Sequence, residues 1–330
     1  MTLIVGEVVD QYKVVDFIGA GAIAEVYRVH NAQGEQVALK ILNPSTEDAT
    51  VLARFQREAD VLKQLDHPHI IKIYDQGVYE DRQYIVMQLA EGGCMENTRQ
   101  ALSMSDVGRI ITEVALALDY AHTRDILHRD IKLENILFDA DGRTLLADFG
   151  MARPLMAVSG PTRTGFVVGT PLYMSPEQCK DEPLDKRTDI YALGVLAYKL
   201  LTGVFPFYSR LPIAIMKMHI AELAPLITET KPELPPELDD IIQRVMAKQP
   251  DDRYQSAGEF ANAIRQALGL PPIQFPEPEP TPPEPEEELE EPVQQAQPTP
   301  TPLMVLIGGA GVLLIIVLAV ILLGAMQSPV

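Results

Sequence analysis

Two rhythms of apolar residues divide the chain. Across about the first 90 residues, apolar and polar positions alternate with a period of two, the signature of half-buried strands. Broken by turn signals such as Asn31-Ala32-Gln33-Gly34, this alternation predicts strands over 12–18, 25–30, 36–42, 71–78 and 83–89. Between the third and fourth, Val51, Phe55, Leu62 and Leu65 recur on one side of a helix predicted over 48–65. After Gly92-Gly93 the helical period takes over. Ile110, Ile111, Val114, Leu118 and Ala121 form one stripe, with comparable stripes through 190–201, 238–246 and 260–268. Strands followed by helices predict an α+β domain of two lobes, over 10–268, with a cleft near 87–93.

Both rhythms stop at Pro271. Residues 271–302 are dominated by Pro, Glu, Thr and Gln, too poor in large apolar groups to build a core. Proline stiffness and like charges predict an extended linker, reaching on the order of 100 Å at ~3.1 Å per residue. Residues 303–326 then hold no charge and are almost wholly Leu, Ile, Val, Ala and Gly. That is long enough to cross a bilayer as one helix, and a transmembrane helix is expected there. Gly308, Gly309, Ala310 and Gly311 would let two such helices approach closely, which makes a homodimer one expectation. No Lys or Arg flanks the span, so charge does not orient it. A signal peptide is not expected, because no basic segment precedes an apolar run at the start.

Composition narrows the classes. The net charge is −19, and eight Glu with no basic residue in 271–302 leave −11 for the first 270 residues. A domain this acidic lacks the basic face that nucleic-acid binding needs. Cys94 and Cys179 cannot staple a domain of this size, and they point to a reducing compartment.

The chemistry concentrates in His128-Arg129-Asp130 with Asn135, followed by Asp148-Phe149-Gly150. Phosphoryl transfer asks for an in-line nucleophile, metal ligands and positive charge around the phosphates. Asp130 can accept a hydroxyl proton, and Asn135 and Asp148 offer the hard oxygens that Mg2+ prefers. The run 126–135 resembles the catalytic loop of the protein kinase family, and Asp148-Phe149-Gly150 resembles its magnesium-binding motif. Ile18-Gly19-Ala20-Gly21 before Val26 is similar to the family's glycine-rich loop, with Ala24 in place of its third glycine. Val37-Ala38-Leu39-Lys40 is similar to the strand whose lysine contacts the ATP phosphates, and Glu58 stands where its ion-pair partner is expected.

The resemblance implies a bilobal protein kinase fold, with ATP and Mg2+ as cofactors. Ile18, Gly19, Gly21, Val26, Ala38, Met87 and Leu89 would surround the nucleotide, Met87 as gatekeeper. Lys132 near Asp130 would neutralise the transferring phosphoryl group, a feature similar to Ser/Thr kinases. It further implies that Thr170 bonds Asp130 and Lys132, that Glu177 pairs with Arg253, and that Asp189 supports the catalytic loop. His128 is expected to pack behind Phe149 rather than carry protons. Thr162 and Thr164 lie where bacterial eukaryotic-like kinases autophosphorylate, and a phosphate there could pair with Arg129. The expected function is therefore a Ser/Thr protein kinase of that bacterial type, anchored at the cell membrane with the kinase domain in the cytoplasm, where ATP is. A pseudokinase would have lost Lys40, Asp130 or Asp148, and all three are present. A kinase of small molecules conflicts with Lys132 and Thr170.

Overall fold

A computed structural model of the chain describes residues 2–21, 23–44, 48–98, 102–149 and 171–275. The expected membrane span, most of the linker, and Thr162, Thr164 and Thr170 lie outside the described residues. Among the described residues, no helix is long and apolar enough to cross a membrane.

The small lobe is an antiparallel sheet of β1 (Val8–Val9), β2 (Tyr12–Ala20), β3 (Ala24–His30), β4 (Gln36–Leu42), β5 (Ile73–Tyr79) and β6 (Arg82–Met87), ordered β1-β2-β3-β4-β6-β5. Its alternation sorts side chains between two faces. Val14, Tyr27, Val29, Val37, Leu39, Ile41 and Val86 close the outer face. Ala38, Ile85 and Met87 join the main core on the inner face. The register sets Val26 opposite Lys40, Lys40 opposite Ile85, and Ala38 opposite Met87, so these five line the inner face together.

Helix α1 (Ala49–Leu62) opens on an Asp48 cap, the carboxylate accepting from Thr50 N–H. It ends at Leu62, three residues before the periodicity does, with Lys63 as its C-cap. The strand β5 likewise starts two residues later than the alternation suggests, and β6 ends two residues earlier.

After the hinge, a short sheet of β7 (Gly93–Cys94), β8 (Ile136–Phe138) and β9 (Thr144–Leu146) floors the cleft. The large lobe is built from α2 (Met104–His122), α3 (Pro176–Lys180), α4 (Lys186–Thr202), α5 (Pro212–Ala221), α6 (Ile227–Thr230), α7 (Glu237–Val245) and α8 (Ala257–Ala267). Ser103 and Asp106 form a capping box that starts α2. Apolar on nearly every side, α4 is the central element of this lobe.

Packing does not stop where the composition changes. Leu270 fills the space above Gly108, where a Cβ would collide with Leu270 Cδ1. The Phe275 ring covers Gly258 in the same way, 2.6 Å from where a Cβ would be. Asn262 donates to the Ile273 carbonyl and accepts from its N–H, both at 3.0 Å. The first residues after α8 are thus a strap seated on α2 and α8, although their prolines read as linker.

Candidate active site

The small lobe contributes Lys40, carried on β4 and turned to the inner face with Ala38 and Val26. Its ammonium lies 3.0 Å from Glu58 Oε1 on α1 and 2.7 Å from Asp148 Oδ1. Burial opposes the charge on Lys40, but the carboxylates of Asp148 and Glu58 outweigh it and hold the amine above its usual value. The two carboxylates divide. Burial pushes Glu58 up against the pull of Lys40, whereas Asp148, despite its own burial, is held well below the usual range by Lys40. Glu58 Oε2 has no hydrogen-bond partner among the described residues.

The large lobe contributes Asp130, Lys132 and Asn135. Lys132 Nζ is 2.5 Å from Asp130 Oδ2, and Asn135 Nδ2 donates to the Asp130 carbonyl (2.8 Å) and carboxylate (3.3 Å). The β8–β9 hairpin links the two groups. Ile136 pairs with Leu146, and Ala147 N–H then reaches the Asn135 carbonyl at 2.9 Å, so Asn135 and Asp148 emerge side by side. Asp148 adopts φ +61°, a left-handed conformation that costs a non-glycine residue about 1 kcal/mol or more.

Buried polar contacts fix the backbone of this loop. Asp189, fully buried on α4, accepts from His128 N–H at 2.9 Å, from Arg129 N–H at 2.7 Å and from His122 Nε2 at 2.8 Å. His128 accepts from Asp130 N–H through Nδ1 and so donates from Nε2 to the Ala147 carbonyl, at 2.9 Å. Burial lowers its pKa, and its ring packs edge-on against Phe149 at 4.5 Å. A neutral, wedged imidazole with both nitrogens engaged is a scaffold rather than a proton carrier. In the same loop Arg129 Nε is buried and has no partner among the described residues.

Around the cleft, Ile18 and Gly19 end β2 and Gly21 follows in the turn, with Gly21 N–H on the Ala24 carbonyl at 2.8 Å. Val26 is half-buried, and Ala38, Met87 and Leu89 are buried. Glu177 and Arg253 form a bidentate pair at 2.7 and 2.8 Å. Sequence reasoning missed His122, which is buried against Asp189, and Gln178, whose amide reaches the Arg129 carbonyl at 3.0 Å. A polar His at the end of an apolar helix, and a Gln after an Ser-Pro-Glu run, were the only signals.

The donor set fits Mg2+. Asn135 commits its amide nitrogen to Asp130, which leaves the carbonyl oxygen without a protein donor among the described residues, next to an ionised carboxylate at Asp148. Among the described residues no cluster of three or more His, Cys, Asp or Glu could hold a metal unaided. Two protein oxygens completed by phosphate oxygens and water is the arrangement Mg2+ favours.

A strand-built lobe over a helical one, with a lysine, two carboxylates and an asparagine converging at their junction, defines a two-lobed phosphoryl-transfer domain. The chain belongs to the protein kinase domain family, which matches residues 12–266. The serine/threonine-protein kinase PknF of Mycobacterium tuberculosis is 39% identical over 280 residues, covering 82% of this chain and 59% of that relative. PknJ, a serine/threonine-protein kinase of Mycobacterium bovis, is 39% identical over 273 residues, covering 80% and 46%. A probable serine/threonine-protein kinase PknB of Lactococcus lactis is 36% identical over 267 residues, covering 79% and 42%. The chain therefore spans between 42% and 59% of the length of these relatives.

Proposed function

We propose that the chain is a serine/threonine protein kinase that transfers the γ-phosphoryl group of ATP to Ser and Thr hydroxyls of proteins. It autophosphorylates its 148–177 segment at Thr162 or Thr164. A single membrane-spanning helix over 303–326 anchors it, with the kinase domain on the cytoplasmic side, and that helix offers a contact for a homodimer. The observation that carries the reading is the Lys40 ammonium 3.0 Å from Glu58 and 2.7 Å from Asp148, in one cleft with Asp130, Lys132 and Asn135.

Each residue then has a task. Lys40, steadied by Glu58, contacts the α- and β-phosphates. Asp130 orients the substrate hydroxyl and takes its proton. Lys132 offsets charge on the phosphoryl group in transit. Asn135 and Asp148 would hold Mg2+, whose contribution is to neutralise phosphate charge and align the triphosphate. Val26 and Ala38 wall the adenine, Met87 and Leu89 border it from the hinge, and Ile18, Gly19 and Gly21 cover the phosphates. Arg129, its Nε unpartnered among the described residues, is the receptor for a phosphothreonine. By the resemblance, Thr170 would bond Asp130 and Lys132.

Incubating the full chain with Mg-ATP, wild type beside Asp130→Asn, and mapping phosphosites by mass spectrometry tests this. Phosphate on Thr162 or Thr164 in the wild type alone is expected, and an unmodified wild type refutes the catalytic reading. Flotation with liposomes tests the anchor: the full chain should float and a chain stopped at 302 should not.

A further inference from the structure

The run Ser175-Pro176-Glu177-Gln178 contains one residue that the ion pair of Glu177 leaves unused. Gln178 is half-buried at the third position of α3, and its side-chain amide is engaged at both ends. Oε1 accepts from Ser175 N–H at 3.0 Å, and Gln178 N–H returns to Ser175 Oγ at 3.3 Å, closing a capping box. Nε2 donates to the Arg129 carbonyl at 3.0 Å. The chemistry of the partners fixes which end is which: an N–H can be met only by the oxygen, and a carbonyl only by the NH2.

The bond to Arg129 falls at a sensitive place. Arg129 has φ +67°, a left-handed conformation disfavoured for a long side chain. Its carbonyl belongs to the peptide that leads into Asp130. The N–H of that same peptide is bonded to His128 Nδ1 at 3.2 Å. The peptide before it is held through Arg129 N–H by Asp189. Remove the bond from Gln178, and the plane leading into Asp130 keeps a partner on one side only. A second tie runs beside it, from Leu133 N–H to Tyr173 Oη at 3.3 Å.

The geometry points to Gln178 as a positioning residue that aims Asp130. It makes the seating of 171–178 a condition for the catalytic loop's conformation. This rests on the kinase reading of the site. The capping bond stabilises α3, and the bond to Arg129 orients the loop, so one side chain reports the docking of one segment to the other.

Gln178→Glu separates the two bonds. A glutamate still accepts from Ser175 N–H and keeps the capping box, but at neutral pH it has no proton for the Arg129 carbonyl. On protonation at low pH it regains a donor. The experiment uses the full chain, wild type, Gln178→Glu and Gln178→Ala. It measures peptide phosphorylation from pH 5 to 8, the melting temperature, and hydrogen exchange of 126–135. At pH 7.5, Gln178→Glu is expected to lose about tenfold in kcat, the scale of one lost hydrogen bond, with KM for ATP within about twofold. Its melting temperature should stay close to wild type, exchange in 126–135 should quicken, and its kcat relative to wild type should recover towards pH 5. Gln178→Ala should lose kcat without that recovery. Wild-type kcat in Gln178→Glu, or a loss equal at every pH, overturns the proposal. Should wild type transfer no phosphate, the kinase reading fails, and hydrogen exchange still decides this one: unchanged exchange in 126–135 of Gln178→Glu overturns it.

Discussion

Two buried ion pairs, one in each lobe, differ in how completely they are satisfied. In the large lobe, Arg253 clasps Glu177 with two bonds and also donates to the carbonyls of Ala247, Arg187 and Lys248. Thr188 completes Glu177 at 2.8 Å, and the carboxylate, though buried, is held below its usual range by Arg253. In the small lobe, one ammonium is shared between two carboxylates, Glu58 is pushed up, and its Oε2 has no partner among the described residues. A saturated pair has nothing to give a ligand. An unsaturated pair beside a cleft has charge and hydrogen-bonding capacity to spare, which marks it as a place for chemistry. The first holds the lobe together, and the second keeps capacity to spare at the cleft.

This contrast breaks most visibly by substitution. Lys40→Met should lower kcat by on the order of a thousandfold, because preorganised charge on the phosphates is a dominant catalytic contribution. The same variant should leave the melting temperature within a few degrees of wild type, by thermal unfolding followed by circular dichroism. Glu177→Gln should act chiefly on stability, with a loss of kcat far smaller than that of Lys40→Met. Leaving Arg253, 1% exposed, without its counter-charge costs about 3–5 kcal/mol of stability, to be read from urea unfolding. If both variants lost activity and stability in parallel, the distinction between the pairs would disappear.

Acid sharpens the comparison. His219 is fully buried under α4, bonded through Nδ1 to Tyr191 Oη at 2.9 Å, and burial, then the ammonium of Lys248, push its pKa down to about 4. An unfolded histidine titrates near 6.5, so folding leaves His219 neutral where the unfolded chain is charged. Its contribution is fully present above pH ~6.5 and fades as pH falls towards ~4, on the order of 2–3 kcal/mol. Urea unfolding of wild type between pH 7 and 4.5 should show the loss, and His219→Gln should flatten the slope. The smallest effect belongs to the strap. Gly258→Ala sets a Cβ against the Phe275 ring and should cost about 1–2 kcal/mol by displacing it, while kcat changes little.

What the sequence made legible follows how local each interaction is. Asp130, Lys132 and Asn135 fall within six residues; the chemistry of Asp130 and Asn135 was legible from residue type and spacing, and that of Lys132 from the resemblance the run carries. Lys40, Glu58 and Asp148 were read together only through a resemblance, since 108 residues separate Lys40 from Asp148. His122 to Asp189 and Gln178 to Arg129 were not read at all. Each is a polar contact across tens of residues that leaves no periodicity. The strap was hidden for another reason. Proline-rich composition reads as linker, but Asn262 and the bare faces of Gly108 and Gly258 give its first residues a surface to pack on.

The central claim is that Lys40, Asn135 and Asp148 converge on the metal-bound triphosphate of a single nucleotide. Calorimetric titration of ATP into the full chain, with and without Mg2+, tests it most directly. The account predicts that Mg2+ tightens ATP binding by at least about tenfold in wild type, and that Asp148→Asn erases the difference. Equal ATP affinity with and without Mg2+ in the wild type would contradict it.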